Sequence, residues 1–340
     1  MRLFEIRDAW GLDHLVETER PVPRPGPHDV LIRLKAASLN YRDVVMVSGN
    51  YGKLAGSLPL IPLSDGVGEI VEVGAEVTRF KAGERVCTTV FQGWHSGELR
   101  EWMARTALGG PLDGVLTEYQ TLSQEGIVRA PEHLSDEEAA TLPCAALTAW
   151  DAVVTQGAAG PAETVLVLGT GGVALFALQF AKISGARVIV TSKSDEKLER
   201  ARKLGADHTI NYLQDADWGR TARDMAGGEG VDLVVETGGG GTLSQSLRAV
   251  RTGGRVMMMG VLGGTTLDAR VYHLVLRRVR LQGITLACRD DFETMNRAIA
   301  HHQLRPVVDR VFSFEDTHDA FGYLAGQGHF GKVVISIAGA

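Results

Sequence analysis

Residues 164–181 read TVLVLGTGGVALFALQFA, the most apolar run in the chain's middle. It is uncharged and long enough for a membrane span, but Gly169-Thr170-Gly171-Gly172 breaks it in the middle. A buried strand, a glycine turn and an alanine-rich helix account for it better. Gly169, Gly171 and Ala174 stand at the G-x-G-x-x-A spacing of a dinucleotide fingerprint, with an apolar strand before them and a helix starting at once. Glycine lets the backbone turn sharply and approach a pyrophosphate, and a helix N-terminus offers its unpaired N–H groups to that anion. Ala174, Ala177 and Ala181 keep the helix thin enough to lie close on a sheet. A tight βα turn in any doubly wound domain has a similar composition, so the reading rests on the strand and helix around it.

Working outward, the segments RVIVTS, EKLERARKLG, HTINY, DLVVET and RVMMMGVL continue the alternation of apolar runs with helical stretches. That rhythm predicts βαβ units and a parallel sheet over 126–270, with a last strand at 279–284 and a helix at about 291–302. Residues 1–125 read differently, as short β-rich runs such as VLIRLKAASL and GEIVEVG set between turn signals. Strand patterning returns in RPVVDRVFSF and GKVVISI, so 271–340 should finish the parallel sheet and rejoin the β-rich domain. The weakly patterned tract 92–120 predicts a surface excursion able to border a pocket, with His95 solvated.

The end of the second strand bears on which dinucleotide binds. An acid there would hydrogen-bond the ribose 2′-OH of NAD, but the chain has Thr191-Ser192-Lys193-Ser194. Ser192 can donate to a 2′-phosphate, and Lys193 and Lys197 bring positive charge, which favours NADPH. The bland alternative is that Ser194 caps the helix starting at Asp195 and both lysines are solvated. The missing acid also argues against an S-adenosylmethionine methyltransferase.

Composition narrows the partners. A chain of 340 residues with 44% apolar content exceeds what one core usually holds, so two domains are expected. The net charge of −6, without a basic run, points away from nucleic acid and anionic membranes and toward a small-molecule substrate. MRLFEIRDAW lacks the features of a secretory signal, and three scattered cysteines suit reduced thiols, so the cytoplasm is the expected location.

NYRD at 40–43, IPLSDGVGEIVEVG at 61–74, FKAGERV at 80–86, LPCAALTAW at 142–150, LGTGGVALFALQFAK at 168–182, KLGADHTINY at 203–212 and GKVVI at 331–335 follow one another in a specific order. With these pieces the chain resembles the medium-chain dehydrogenase/reductase superfamily over essentially its whole length. The resemblance implies an α/β protein: a GroES-like β-rich catalytic domain built from both chain ends around a doubly wound Rossmann domain. It also implies cofactor contacts from Asn40, Thr148, Gly169, Thr170, Gly171, Gly172, Val173, Tyr212, Gly260, Val261, Leu262, Leu286, Ala287 and Lys332. Related proteins are commonly homodimers joined at the Rossmann sheet edge.

The zinc alcohol dehydrogenases of this superfamily bind their catalytic metal through two cysteines and a histidine. The matching positions here are Asn40, Ser64 and Cys144, and the cysteines of the structural zinc lobe are missing. One soft ligand cannot make a tetrahedral site, so no zinc is expected. The chain then resembles the zinc-independent branch of quinone oxidoreductases and enone or enoyl thioester reductases. Without a Lewis acid, hydride addition to an activated C=C bond is easier than addition to a ketone, because its charge spreads into an enolate that hydrogen bonds can hold.

Tyr51, in SGNYG, is similar in placement to the proposed acid of enoyl thioester reductases and is the first candidate proton donor. Tyr41 is the second, Asn40 can hydrogen-bond the substrate carbonyl or the cofactor ribose, and solvent is a further proton source. The leading expectation is an NADPH-dependent reductase of an activated C=C bond or a quinone. A metal-free alcohol dehydrogenase or ketone reductase, and an NADPH-binding redox sensor or structural protein, stay open beside it.

Overall fold

The computed structural model describes residues 1–266 and 271–337. The chain divides into two units, one made of Met1–Ala145 with Cys288–Ala340 and the other of Ala146–Ala287.

The central strand of the second unit, Thr164–Leu168, is buried at every residue, as a parallel strand covered on both faces requires. It sits in a six-stranded parallel sheet ordered His208–Asn211, Arg187–Ser192, Thr164–Leu168, Val231–Glu236, Val250–Met258, Arg280–Gly283. Taken in chain order these strands run 3-2-1-4-5-6, the doubly wound pattern. The order reverses between Thr164–Leu168 and Val231–Glu236, which is where such sheets bind ligands beyond the strand C-termini. Leu166, Ile189, Val234 and Val256 supply much of the core, with Trp218 packed among them. The uncharged run at 164–181 resolves into the strand, the turn and part of the Gly172–Ile183 helix. Among the described residues no helix is long and apolar enough to cross a membrane.

A mixed seven-stranded sheet forms the frame of the first unit. Its main order is Val308–Phe312, Lys332–Ser336, Asp29–Leu39, Asp65–Val73, Arg85–Thr88, Ile127–Arg129, and Tyr119–Ser123 also pairs with Asp29–Leu39. Alternating apolar residues of these strands close a core around Ile32, Leu34, Ile70, Val86, Val333 and Ile335.

Two expectations shift. The first domain boundary, expected at 125/126, falls at 145/146, because Ile127–Arg129 pairs with Arg85–Thr88 and so belongs to the β-rich unit. The tract 92–120 does more than cross the surface: its Trp94 and His95 carbonyls accept the Arg289 and Asp290 N–H groups at the start of the Arg289–His301 helix, both at 3.1 Å. His95 is half-buried, with its Nε2 3.0 Å from the Gln92 carbonyl.

Candidate active site

Three neighbouring strand ends bring the first unit's polar groups together. Asp29–Leu39 lies between Lys332–Ser336 and Asp65–Val73, antiparallel to both, with Val333 opposite Leu39 and Asp65 opposite Ser38. Lys332, Asn40 and Asp65 therefore meet at one edge of the frame although the chain separates them widely.

Asn40 leaves its strand as the N-cap of the Tyr41–Val47 helix. Its backbone N–H donates to Asp43 Oδ2 at 2.7 Å, so Asp43 holds local backbone as half of a capping box. In the other half the Asn40 side chain lies near the first-turn backbone without making a full cap hydrogen bond. Its Oδ1 instead accepts from Lys332 Nζ at 2.7 Å, and the same ammonium donates to the Leu39 carbonyl. Asp65 Oδ1 accepts from Ser64 Oγ at 2.6 Å and its Oδ2 from the Cys144 N–H at 3.0 Å. Two buried atoms, Asn40 Nδ2 and Asp43 Oδ1, have no hydrogen-bond partner. Nδ2 leans toward Asp65 closely enough to help hold its negative charge, yet without the distance and angle of a full hydrogen bond.

Burial sets the charge states here. It raises Asp43 to about 6 and also raises Asp65, against the opposing pull of Lys332 on Asp65. Burial lowers Lys332, with Asp65 as its largest opposing influence. The Cys144 thiol is pushed up to about 12 by burial, which makes it a poor nucleophile at neutral pH. Leu63, just before Ser64, is a buried non-glycine residue in the left-handed region at φ 69. Gly109 and Gly114 press against its backbone so closely that a Cβ on either would clash, and this over-determined turn aims Ser64 and Asp65.

Of the proton candidates, Tyr51 is half-buried, packs on Met46, Ala55 and Leu60, and has the Arg42 guanidinium 5.5 Å from its ring centroid. Tyr41, the first residue of the helix, is 38% exposed. Lys332, which the resemblance sets at the cofactor, is only 3% exposed and turns its ammonium to Leu39 and Asn40. Strand pairing is the reason, since the Val333–Leu39 register puts Lys332 beside Asn40.

The second unit carries the remaining cofactor candidates. Gly169 takes φ +80, which favours glycine, and its N–H donates to Thr191 O at 2.9 Å, tying the turn to the end of the neighbouring strand. Gly171 is the N-cap of the twelve-residue Gly172–Ile183 helix and provides no side-chain cap, so the first-turn N–H groups of Gly172, Val173 and Ala174 remain available to an anion. Thr170 is buried within the turn. Ser192 is buried, with its Oγ accepting from Ser194 N at 3.3 Å, and Tyr212 N donates to Ser192 O at 3.1 Å. Ser194 does cap its helix, accepting from Lys197 N at 3.3 Å, while Lys193 is exposed. Val261 and Leu262 are exposed beyond the Val250–Met258 strand, and Thr148, Leu286 and Ala287 are buried. Gly260 is pressed so near Thr237 that a Cβ would stand 1.6 Å from its carbonyl oxygen. These features fit a pyridine dinucleotide.

Sequence reasoning missed three contributors. Glu236 gathers the N–H groups of Gly238 and Gly239 and the Thr242 hydroxyl, at 2.7, 3.0 and 2.6 Å, shaping the glycine loop that hydrogen-bonds the 260–264 loop. Thr237 Oγ1 donates to Leu168 O at 2.7 Å across the point where strand order reverses. The third is Asp65 as the anchor of the Cys144 N–H, a role its place in the PLSDG motif does not suggest. A carboxylate at the end of a strand's buried run, Glu236 closing VDLVVE and Asp65 opening DGVGEIVEV, is the signal that marks such anchors.

Comparison with known proteins agrees with this geometry. Residues 26–132 match the alcohol dehydrogenase GroES-like domain and residues 172–301 the zinc-binding dehydrogenase family. A zinc-type alcohol dehydrogenase-like protein of Schizosaccharomyces pombe is 43% identical, with 96% of each chain covered. An acryloyl-coenzyme A reductase of Metallosphaera sedula is 30% identical over 92% of this chain and 94% of its own length. The crystal structure of an NAD-dependent alcohol dehydrogenase superposes with a TM-score of 0.90 at 33% identity, covering 99% of this chain and 100% of that one.

Zinc in such a fold needs several thiolate, imidazole or carboxylate donors in tetrahedral array. The three positions that resemblance assigns to it hold an amide, a hydroxyl and a single thiol, and a lysine ammonium already occupies the amide oxygen. Among the described residues no group of three or more His, Cys, Asp or Glu side chains could hold a metal ion. This donor set does not fit a tetrahedral zinc ion. Family matches at both ends of the fold, and relatives similar along nearly the whole chain, place the protein in the medium-chain dehydrogenase/reductase superfamily of oxidoreductases.

Proposed function

We propose that this protein is an NADPH-dependent reductase that delivers hydride to an activated C=C bond of an α,β-unsaturated carbonyl compound, or to a quinone, without zinc. The observation that carries this reading is the Lys332–Asn40 hydrogen bond at the position resemblance gives to a metal ligand. Such a group offers fixed charge and amide donors, which suffice for an enolate but replace a Lewis acid poorly at a ketone. Similarity to an acryloyl-coenzyme A reductase, whose named substrate carries an activated C=C bond, supports the same chemistry.

When bound, the nicotinamide supplies the hydride for the β-carbon of the substrate. The turn at Gly169–Val173 would hold the pyrophosphate, while Ser192, Lys193 and Lys197 would take the 2′-phosphate. Asn40 would steady the oxygen on which negative charge develops as the C=C electrons shift toward the carbonyl. Tyr51 Oη would then give its proton to the α-carbon, restoring the carbonyl, and the phenolate would recover a proton from solvent.

The alcohol dehydrogenase names among the relatives favour one competing reading, reduction of a carbonyl group. Oxidation of NADPH and NADH should be followed with an enone, a quinone and the matching saturated ketone, with and without a chelator, and the products identified. The proposal expects chelator-insensitive conversion of the enone to the saturated ketone with NADPH preferred. Reduction of the ketone alone, or loss of activity on chelation, would overturn it; tight NADPH binding with no turnover would point to a sensor.

Two further expectations belong to the proposal. Three free cysteines suit a reducing compartment, the cytoplasm. Val271, Tyr272, Val275 and Leu276 are each more than 60% exposed on the Val271–Leu276 helix, which precedes the edge strand Arg280–Gly283, and they offer an apolar face to a second copy.

A further inference from the structure

Asn40 is an N-cap asparagine that does not cap. At a helix start the side-chain oxygen of asparagine ordinarily accepts a first-turn N–H, a contact whose loss costs about 1 kcal/mol. Here that oxygen makes no full cap hydrogen bond and accepts instead from Lys332 Nζ at 2.7 Å. An ammonium can only donate, so the amide orientation is fixed chemically: Oδ1 faces Lys332, and Nδ2 must face the other way. The residue is 9% exposed, its backbone is pinned by Asp43, and Nδ2 has no hydrogen-bond partner. The nearby Asp65 carboxylate accepts from Ser64 and from the Cys144 N–H, and Nδ2 adds only a weaker attraction to it, short of a full hydrogen bond.

We propose that Lys332 is a positioning residue: its ammonium locks the Asn40 carboxamide so that Nδ2 is held ready to donate a hydrogen bond to the substrate oxygen that gains charge during reduction. This rests on the reductase reading above and adds what orients the donor. A buried donor without a partner is costly in a folded protein and is kept where a ligand completes it. Lys332 also balances the buried carboxylates of Asp65 and Asp43, so it supplies charge and orientation together. Its place at the strand start, with the Val333–Leu39 register behind it, holds the ammonium against Asn40.

The test is a double-mutant cycle on kcat for enone reduction, with NADPH affinity and thermal unfolding measured on each variant. Asn40→Ala should lower kcat by about 100-fold, the usual loss for one oxyanion donor. Lys332→Met should lower kcat at least about tenfold, with NADPH Kd unchanged, and should add little in the Asn40→Ala background. Lys332→Gln retains an N–H donor and should recover part of kcat, which loss of packing alone would not explain.

If Lys332→Met instead weakens NADPH binding and leaves kcat intact, the lysine serves the cofactor phosphate and the proposal is overturned. It is overturned equally if the two losses multiply, since Lys332 then does not act through Asn40. Should Lys332→Met fail to fold, the cycle is run with Lys332→Gln, where a kcat loss that vanishes in the Asn40→Ala background supports the proposal and an independent loss overturns it. The wild type separates the two readings. If it reduces ketones and no enone, the C=C reading fails while the cycle can still be read on ketone reduction, whose developing alkoxide calls for the same donor.

Discussion

The guanidinium of Arg42 lies over the face of the Tyr51 ring, 5.5 Å from its centroid. Arg42 donates to the Leu108 carbonyl at 3.0 Å and the Gly110 carbonyl at 3.5 Å, so it anchors a loop as well as steadying the ring. A cation held over an aromatic face in a part-buried setting contributes on the order of 1 kcal/mol, enough to keep the ring in one orientation.

Tyr51→Phe removes the hydroxyl and keeps the ring, so NADPH affinity should not change. Steady-state kinetics on an enone should show kcat lowered by about 100-fold, within the usual range for losing a general acid. Tyr41→Phe, at an exposed position, should leave kcat nearly as it was. Full activity in Tyr51→Phe would assign the proton to solvent.

Asp43 provides a pH test. Burial raises it from 3.8 to about 6, so between those values the folded chain holds a proton that the unfolded chain has released. Its ionisation therefore costs stability progressively as pH rises through the window, and the full cost is present at neutral pH. Asp43→Asn keeps an acceptor for the Asn40 N–H and removes the titration. Relative to wild type it should gain stability between about pH 4 and about pH 7, by up to about 3 kcal/mol, in urea unfolding at both ends. A stability difference that does not change with pH would show that Asp43 is not the titrating group.

Cofactor choice should respond to Lys193, which is exposed at the end of the Arg187–Ser192 strand. Lys193→Ala should weaken NADPH binding about tenfold, the size of one charge-assisted hydrogen bond, and leave NADH unaffected. Equal losses for both cofactors in a binding titration would mean that the lysine does not meet the 2′-phosphate.

Val275 is 64% exposed in the apolar helix face beside the edge strand. Val275→Asp places a charge in that face and should turn a homodimer into a monomer in sedimentation experiments, with unfolding temperature measured alongside. A wild type that sediments as a monomer would leave the patch without this role.

The doubly wound unit is legible in the chain, because the information that specifies it is local. Apolar runs of strand length, a glycine turn at Gly169–Gly172 and alanines at helical spacing each act within a few residues, and the observed strands and helices follow them closely. Ser194 capping its helix was readable for the same reason. The first unit's boundary was not, since whether Ile127–Arg129 belongs to it depends on pairing with Arg85–Thr88, and pairing leaves little trace in either segment alone. The tertiary structure alone decided the polar cluster. Asn40 and Lys332 are 292 positions apart in the chain and meet because their strands pair in antiparallel register, with Asp65 delivered by the strand on the other side. A lysine opening an apolar strand reads from sequence as a solvated end or a phosphate ligand. Only the register of its neighbours turns the ammonium inward, where a buried charge must find an amide oxygen, a carbonyl and carboxylates to be tolerated at all.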